Sequence, residues 1–304
     1  MNMETPNVSV ELMNTAFCDK VFNGQIKEAM ENGSMYIRRK LYEDGILRRL
    51  FENRTVTADE LDPLLDSDTP SIICELEPDA PRATFVPFKG TADRSYFNGK
   101  RFRVPFGKVE SDRMSKSKFE LMTIRMPITD WLKEHQVKSI QDEEDKQFIE
   151  TIADIIAQNT ATQSVTVSMA SSSFKDAFTE GWKMLTRLRL PQGKVLMHKN
   201  TYVDSLKLKT DEIGFAPQEK RFDRGVDGED SFMGSPVITT IKDDLVKENE
   251  LYFFTQPDYF IKFFLLQDAT LYLRTEADMI YFHTYEAPGV GIGNTNGVVK
   301  VTLA

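Results

Sequence analysis

The sequence predicts an α+β fold that one chain does not complete by itself. Three observations carry this reading: a charge-rich strand pattern between Glu75 and Met126 with nothing obvious to pack against, an acidic helical stretch that follows it to Asn159, and a strand-rich run that closes the chain. A single compact domain has little use for a long bare hairpin or for a helix about as long as a domain is wide. A protein finished by its neighbours in an assembly needs both.

The hairpin is read from alternation. In RSYFNGKRFRVPFGKVESDRMSKSKFELMTIRM, Phe102, Val104 and Phe106 alternate with Arg101 and Arg103, the period-two pattern of a half-buried strand. Asn98-Gly99 accepts the positive backbone angles of a two-residue hairpin turn. Pro81, Pro87 and Pro105 each remove a ladder donor and confine these strands to edges or irregular pairing. Open edges invite aggregation unless they are charged, covered or paired with another chain. Lys100, Arg101, Arg103, Lys108, Arg113, Lys116 and Lys118 supply the charge. The plainer alternative is a solvated surface hairpin on an ordinary enzyme.

The helix has clear start signals. Pro127 closes the strand, Thr129 can cap a first turn at Asp130-Trp131-Leu132, and Ser139 with Asp142 resembles a second capping box. Phe148, Ile149, Ile152, Ile155 and Ile156 recur at helical spacing as one apolar stripe. Asp142, Glu143, Glu144 and Asp145 crowd the first turn, where the helix dipole favours negative charge. They read as a solvated helix start, with pairs such as Glu143-Glu144 facing water, or as an inter-subunit salt-bridge site. Continuous from Thr129 to Gln158, the helix would span about 45 Å at roughly 1.5 Å per residue.

Ahead of the hairpin, residues 1–72 read as an arm with little core of its own. Helical patterns at Val21–Asn32 and Ser34–Glu52 lead into the turn-rich connector NRTVTADELDPLLDSDTP. The second pattern sets Ile37, Leu41, Ile46, Leu47 and Leu50 beside Arg38, Arg39, Lys40, Arg48 and Arg49. Such a helix could lie on DNA or on a membrane surface, but interspersed Glu43, Asp44 and Glu52 favour packing against protein. Beyond the acidic helix come an amphipathic helix at about Ser173–Leu190, a strand at Lys194–Met197 and a short helix at Thr201–Leu208. Strands near Pro236–Ile241 and Glu250–Thr255 follow, so this section reads as a compact α/β-like subdomain.

Composition excludes several classes. At 304 residues and 40% apolar content, a chain of this size hides about three quarters of its surface on folding. No run of eighteen apolar residues occurs, and the opening MNMETPNVSVELMNTAF is polar and mixed, so neither a membrane span nor a leader is expected. Cys18 and Cys74 form neither a disulfide framework nor a metal set, which fits a reducing cytoplasm. A formal charge of −9 argues against broad adhesion to nucleic acid through phosphates. The 21 phenylalanines suit a thin β-rich body that also buries surface against neighbours.

Local motifs for chemistry fail on inspection. GVGIGNTNG at Gly289–Gly297 lacks the following helix and acid of a dinucleotide site, and reads as a strand connection. DRGVDG at Asp223–Gly228 copies part of a calcium loop, but Gly225 and Gly234 stand where ligands belong. His135, His198 and His283 are scattered without metal-ligand spacing. No phosphate loop and no nucleophile elbow is present. Catalytic groups could still converge from distant positions. The expectation is no catalytic residue, no cofactor and no metal.

With the order of elements laid out, the chain resembles the major capsid proteins of tailed phages, whose Hong Kong phage coat fold is shared by encapsulin shells. The resemblance lies in DSDTP at Asp66–Pro70, in GKRFRVPFGKVESDRMSKSKFEL and in SIQDEEDKQFIETIADII, with GSPVITT at Gly234–Thr240 and the terminal FHTYEAPGVGIGNTNGVVKV. It covers nearly the whole chain. It implies an N-terminal arm at 1–72, an extended β-hairpin loop at 73–126, and a spine helix with the start of a peripheral domain at 127–164. An axial domain at 165–256 and C-terminal strands of the peripheral domain at 257–304 complete it. The loop would reach over a neighbouring subunit. Heterologous contacts of this kind close into rings of five or six.

Copies would then tile an icosahedral shell around double-stranded DNA, assembled in a host bacterial cytoplasm and ending in the virion. The partners implied are further copies of the chain, with scaffolding, portal and decoration proteins beside them. Lys100, Arg101 and Arg103 on the hairpin, and Asp142, Glu143 and Glu144 at the helix start, are the expected inter-subunit contacts. No coiled-coil scaffold segment precedes the arm, which implies a separate scaffolding protein or none. Some relatives cross-link a loop lysine to an asparagine; Lys89, Lys100, Asn98 and Glu110 are present here without a sign of which would meet. An encapsulin-like compartment and a soluble α+β enzyme are the alternatives.

Overall fold

The computed structural model describes residues 45–63, 68–77, 83–91, 94, 99–123, 136, 138–168, 174–204 and 231–304, with the backbone alone at 121–123. Along the first half run α1 (Ile46–Leu50), β1 (Asn53–Thr55), β2 (Ser71–Glu75), β3 (Arg101–Pro105), β4 (Val109–Glu110), β5 (Met114–Ser117), α2 (Lys118–Thr123), α3 (Lys138–Gln158) and α4 (Thr160–Gln163). The second half holds β6 (Ser164–Val167), α5 (Phe174–Arg187), β7 (Gln192–His198), α6 (Lys199–Asp204), β8 (Ser231–Phe232), β9 (Ser235–Thr240) and β10 (Glu250–Thr255). It ends with β11 (Ile261–Glu276), β12 (Met279–Ile292) and β13 (Val298–Leu303).

The strand-rich end of the sequence forms one long hairpin. β11 and β12 pair antiparallel from Ile261↔Ile292 to Glu276↔Met279, with Ala277 at φ 53° in the turn. Phe263, Phe264 and Leu265 are buried in succession, so this end of β11 is covered on both faces. β1 adds to β11 in parallel, while β4 and β5 add to β12. A second sheet runs in the order β6-β13-β10-β7-β9-β8. α5 packs on it through Phe178 and Trp182, whose rings meet Phe253 at 5.2 and 4.9 Å. No helix among the described residues is long and apolar enough to cross a membrane.

α3 lies in the seam between the two sheets. Its stripe of Phe148, Ile149, Ile152, Ile155 and Ile156 is buried, as the helical spacing predicts. The stripe joins Ile261, Phe263 and Leu265 from β11 with Leu196, Ile238, Phe254 and Val298 from the six-stranded sheet in one core. The helix begins at Lys138, which puts Ser139 inside the first turn rather than at a cap. An earlier start at Thr129 lies outside the described residues.

Two sequence expectations meet a different topology. The strand at Arg101–Pro105 pairs with Ser71–Glu75, from Ser71↔Pro105 to Glu75↔Arg101. The paired arms are therefore joined by residues 76–100 and not by the Asn98-Gly99 turn, whose Asn98 lies outside the described residues. The final strand crosses the expected division at 257: β13 sits between β10 and β6 in the six-stranded sheet. Its alternating valines fit either sheet, so pattern alone did not assign it. DRGVDG falls outside the described residues, as does the end of the helix expected at Thr201–Leu208, of which α6 is the described part.

GVGIGNTNG is a strand end and its connection to β13, and its alternate glycines have a packing role. A Cβ at Gly289 would meet the Phe106 ring at 2.8 Å, and one at Gly291 would meet Val104 at 2.6 Å. Residues 289 and 291 lie on one face of β12. Side chains from the β2-β3 ribbon rest on that bare backbone, closing a small core of Val56, Ile72, Cys74, Val104, Phe106 and Phe264. Gly291→Ala is expected to destabilise the chain by about 1–3 kcal/mol through overpacking, read by denaturant unfolding. Gly107→Ala, where an added Cβ meets nothing within 4 Å, should stay within about 0.5 kcal/mol.

Candidate assembly interface

The ribbon carries the expected basic residues outward, and both arginines have a partner in the same chain. Arg101 and Glu75 face each other across the β2-β3 ladder and pair at 2.7 Å, with both side chains about two-thirds exposed. Arg103 reaches Asp62 at 2.8 Å. Exposed pairs of this kind contribute about 0–1 kcal/mol, so a carboxylate on another molecule could displace either. Lys100 is exposed, and its carbonyl accepts the Leu76 N–H at 2.8 Å at the end of the ladder.

Within the loop that the ribbon supports, Phe85 and Phe88 have relative exposures of 107% and 112%. Each shows as much surface as a free side chain, although burying a phenylalanine is worth about 1.5–3 kcal/mol. Phe88 sits in a turn in which the Gly90 N–H donates to the Pro87 carbonyl at 2.7 Å. These two rings were missed by sequence reasoning. The signal was FVPF at 85–88, aromatics flanking a proline outside any periodic pattern.

The acidic start of α3 splits between two environments. Asp142 is 62% exposed and pairs with Lys242 at 2.7 Å, and exposed Glu143 accepts from the Gln147 amide at 3.1 Å. Glu144 and Asp145 point inward. Asp145 accepts the Ile46 and Leu47 N–H groups at 3.3 and 3.0 Å, capping α1 from a distance in sequence of 98 residues or more and also holding Lys242 at 2.8 Å. Glu144 bonds the Arg48 guanidinium at 3.3 Å, and Arg48 also contacts Glu286. The expectation that Glu143 and Glu144 both face water is corrected here: Glu144 is 4% exposed, because α1 lies over that turn. Glu144 therefore offers no free surface, whereas Asp142 and Glu143 do.

Burial pushes Glu286 up to about 9, helped by the neighbouring Glu144 charge. Glu144 is raised for the same reason, against the pull of Arg48. Arg48 packs over the Phe263 ring at 5.7 Å. The basic helix is thus turned into protein at this position.

The histidines are placed by local contacts. His198 Nε2 lies 2.6 Å from Asp243 Oδ1, and Glu248 is close enough to complete a cluster of three donor groups. The His198 Nδ1, however, accepts the Asn200 N–H at 3.1 Å. That bond leaves the ring proton on Nε2, so no lone pair points at Asp243 and Glu248 for a metal. His283 stacks on Tyr272 at 5.3 Å, and His135 lies outside the described residues.

Similarity to solved structures is extensive in length and low in sequence. The chain aligns with the virus-like particle of Pyrococcus furiosus at 13% identity and TM-score 0.54, covering 90% of this chain and 99% of that one. It aligns with the mature capsid of bacteriophage PhiM1 at 8% identity and TM-score 0.58, covering 86% and 87%. Against the capsid of cyanophage P-SCSP1u the values are 9% identity and TM-score 0.54, covering 86% and 88%. No family model and no curated relative matches. The chain has the Hong Kong phage coat fold, the α+β fold of these shell subunits.

Asp145→Ala is expected to cost about 1–3 kcal/mol, since it strips two buried amides of their acceptor and leaves Lys242 with Asp142 alone. Asp142→Ala should cost no more than about 1 kcal/mol. Thermal unfolding of the two variants side by side checks the order.

Proposed function

We propose that this protein is the major shell subunit of a tailed-phage capsid, assembling as pentamers and hexamers into an icosahedral shell around double-stranded DNA. The observation that carries the reading is the fully exposed pair Phe85 and Phe88, in the segment that joins the two strands of an anchored ribbon, in a chain of this fold. A second copy of the chain is the partner that such a loop fits. Lys100, Arg101 and Arg103 would flank the aromatic contact, with Asp142 and Glu143 offering opposite charge elsewhere on the subunit.

In this reading, residues 1–72 are the arm, 73–126 the extended loop and 127–164 the spine. Residues 165–256, joined by the last strand, are the axial domain, and 257–292 with their partners form the peripheral sheet. A net charge of −9 suits a container that must not grip its genome. Scaffolding, portal and decoration proteins would be further partners, and the virion the final location.

A second reading, a cellular compartment shell with protein cargo, draws support from the 99% coverage of the Pyrococcus furiosus virus-like particle chain. Nucleic acid extracted from purified particles separates the two: protected double-stranded DNA favours the capsid, protein cargo without it the compartment. Electron microscopy of the expressed chain is expected to show closed particles. In Phe85→Ser/Phe88→Ser the subunit should keep its own stability within about 0.5 kcal/mol, while each lost anchor weakens the contact by about 2 kcal/mol or more. Normal particle yield from that variant would overturn the loop's role. Arg101→Glu/Arg103→Glu is expected to fold and to assemble poorly in the same assay.

A further inference from the structure

We propose that Arg48, Glu144 and Glu286 form a proton-dependent latch that holds Ile46–Leu50 against α3 and the β11-β12 hairpin, and that loosens as pH rises. The three side chains come from three elements, separated in sequence by 96 and 238 residues. All are at most 2% exposed. One guanidinium serves two carboxylates there. Water cannot supply the missing counter-charge at such burial, so the cluster is neutral only when the two acids share one proton.

The surrounding charges reinforce this. Asp268 on β11 adds negative potential to Arg48 and Glu286. Asp145, next to Glu144, is engaged by Lys242 at 2.8 Å and by the α1 amides. On β4, Glu110 is taken by Lys108 at 2.7 Å. Glu144 and Glu286 also hydrogen-bond each other, which two carboxyl groups can do only when one of them keeps its proton.

The sign follows from linkage. In the docked state Glu286 holds its proton up to about 9, against an ordinary value of 4.5, to which it returns when α1 opens and water enters. Docking is therefore strongest below about 4.5 and weakens as pH rises towards about 9, where the loss is complete. One proton released on opening changes the docking equilibrium by up to about tenfold per pH unit.

Hydrogen exchange of the Leu47, Arg49 and Phe51 amides in the full-length chain, from pH 6 to 9, tests the latch. Glu286→Gln carries a permanently neutral amide of the same shape, so at each pH its exchange provides the reference that cancels intrinsic rates. The wild-type rate is expected to exceed that of the variant by a ratio that grows with pH, by up to about tenfold per unit. A ratio constant with pH, or a variant that opens more than wild type at pH 9, overturns the proposal. Glu144→Gln removes the second acid instead and should flatten the wild-type slope in the same way. Wild-type protection that stays level across this range, once intrinsic rates are divided out, would overturn it without either variant.

Discussion

The aromatic seam at Phe51, Phe148, Phe254 and Phe260 is the contact on which the rest of the subunit depends. Phe51 meets Phe148, Phe254 and Phe260 at 5.8, 5.7 and 6.0 Å between ring centroids. Each ring comes from a different segment: the end of α1, the middle of α3, the central β10, and the turn into β11. The cluster therefore fixes the helix, both sheets and the start of the described chain against one another at one point. Rings of this size contribute about 1.5–3 kcal/mol each on burial, with a further 0.5–1.5 for each edge-to-face pair. No hydrogen-bonded ladder joins the two sheets among the described residues, so dispersion and burial along α3 hold them together.

That seam also dictates the charged chemistry beside it. Phe51 reaches Phe148 only if α1 lies along the first turns of α3, and this brings Arg48 down onto Glu144 and Glu286. A buried ion pair of this sort is weak support for stability, because desolvation offsets most of the attraction. Its effect is better understood as registration: α1 cannot slide without leaving two acids unpaired in the core. Asp145 adds to this by accepting two α1 amides, which a five-residue helix cannot satisfy internally.

The helix shows what was legible in sequence and what was not. Its apolar stripe was readable because Phe148, Ile149, Ile152, Ile155 and Ile156 repeat at 3.6-residue spacing. Glu144 and Asp145 lie four residues before Phe148 and Ile149, on the same face, so the stripe itself predicted their burial. Four acids in a row suggested a solvated start more strongly than their positions suggested the reverse. Arg48 as their partner had no signal, since contacts across 96 residues leave no local periodicity. For β13, two sheets with similar edges were available to one alternating strand. The exposure of Arg101 and Arg103 followed from alternation, whereas the exposed rings of Phe85 and Phe88 sat in a stretch without period.

The loop's exposure acquires meaning from the rigidity beneath it. A flexible segment bearing two phenylalanines would collapse onto the nearest apolar surface of its own chain. Here the ribbon is pinned by Val104 and Phe106 over Gly291 and Gly289, and by Ile72 and Cys74 in the same small core. The base is thereby committed to β12. The alternating glycines that first suggested a nucleotide site thus serve a mechanical end: a strand stripped of side chains on one face, so that the ribbon lies close.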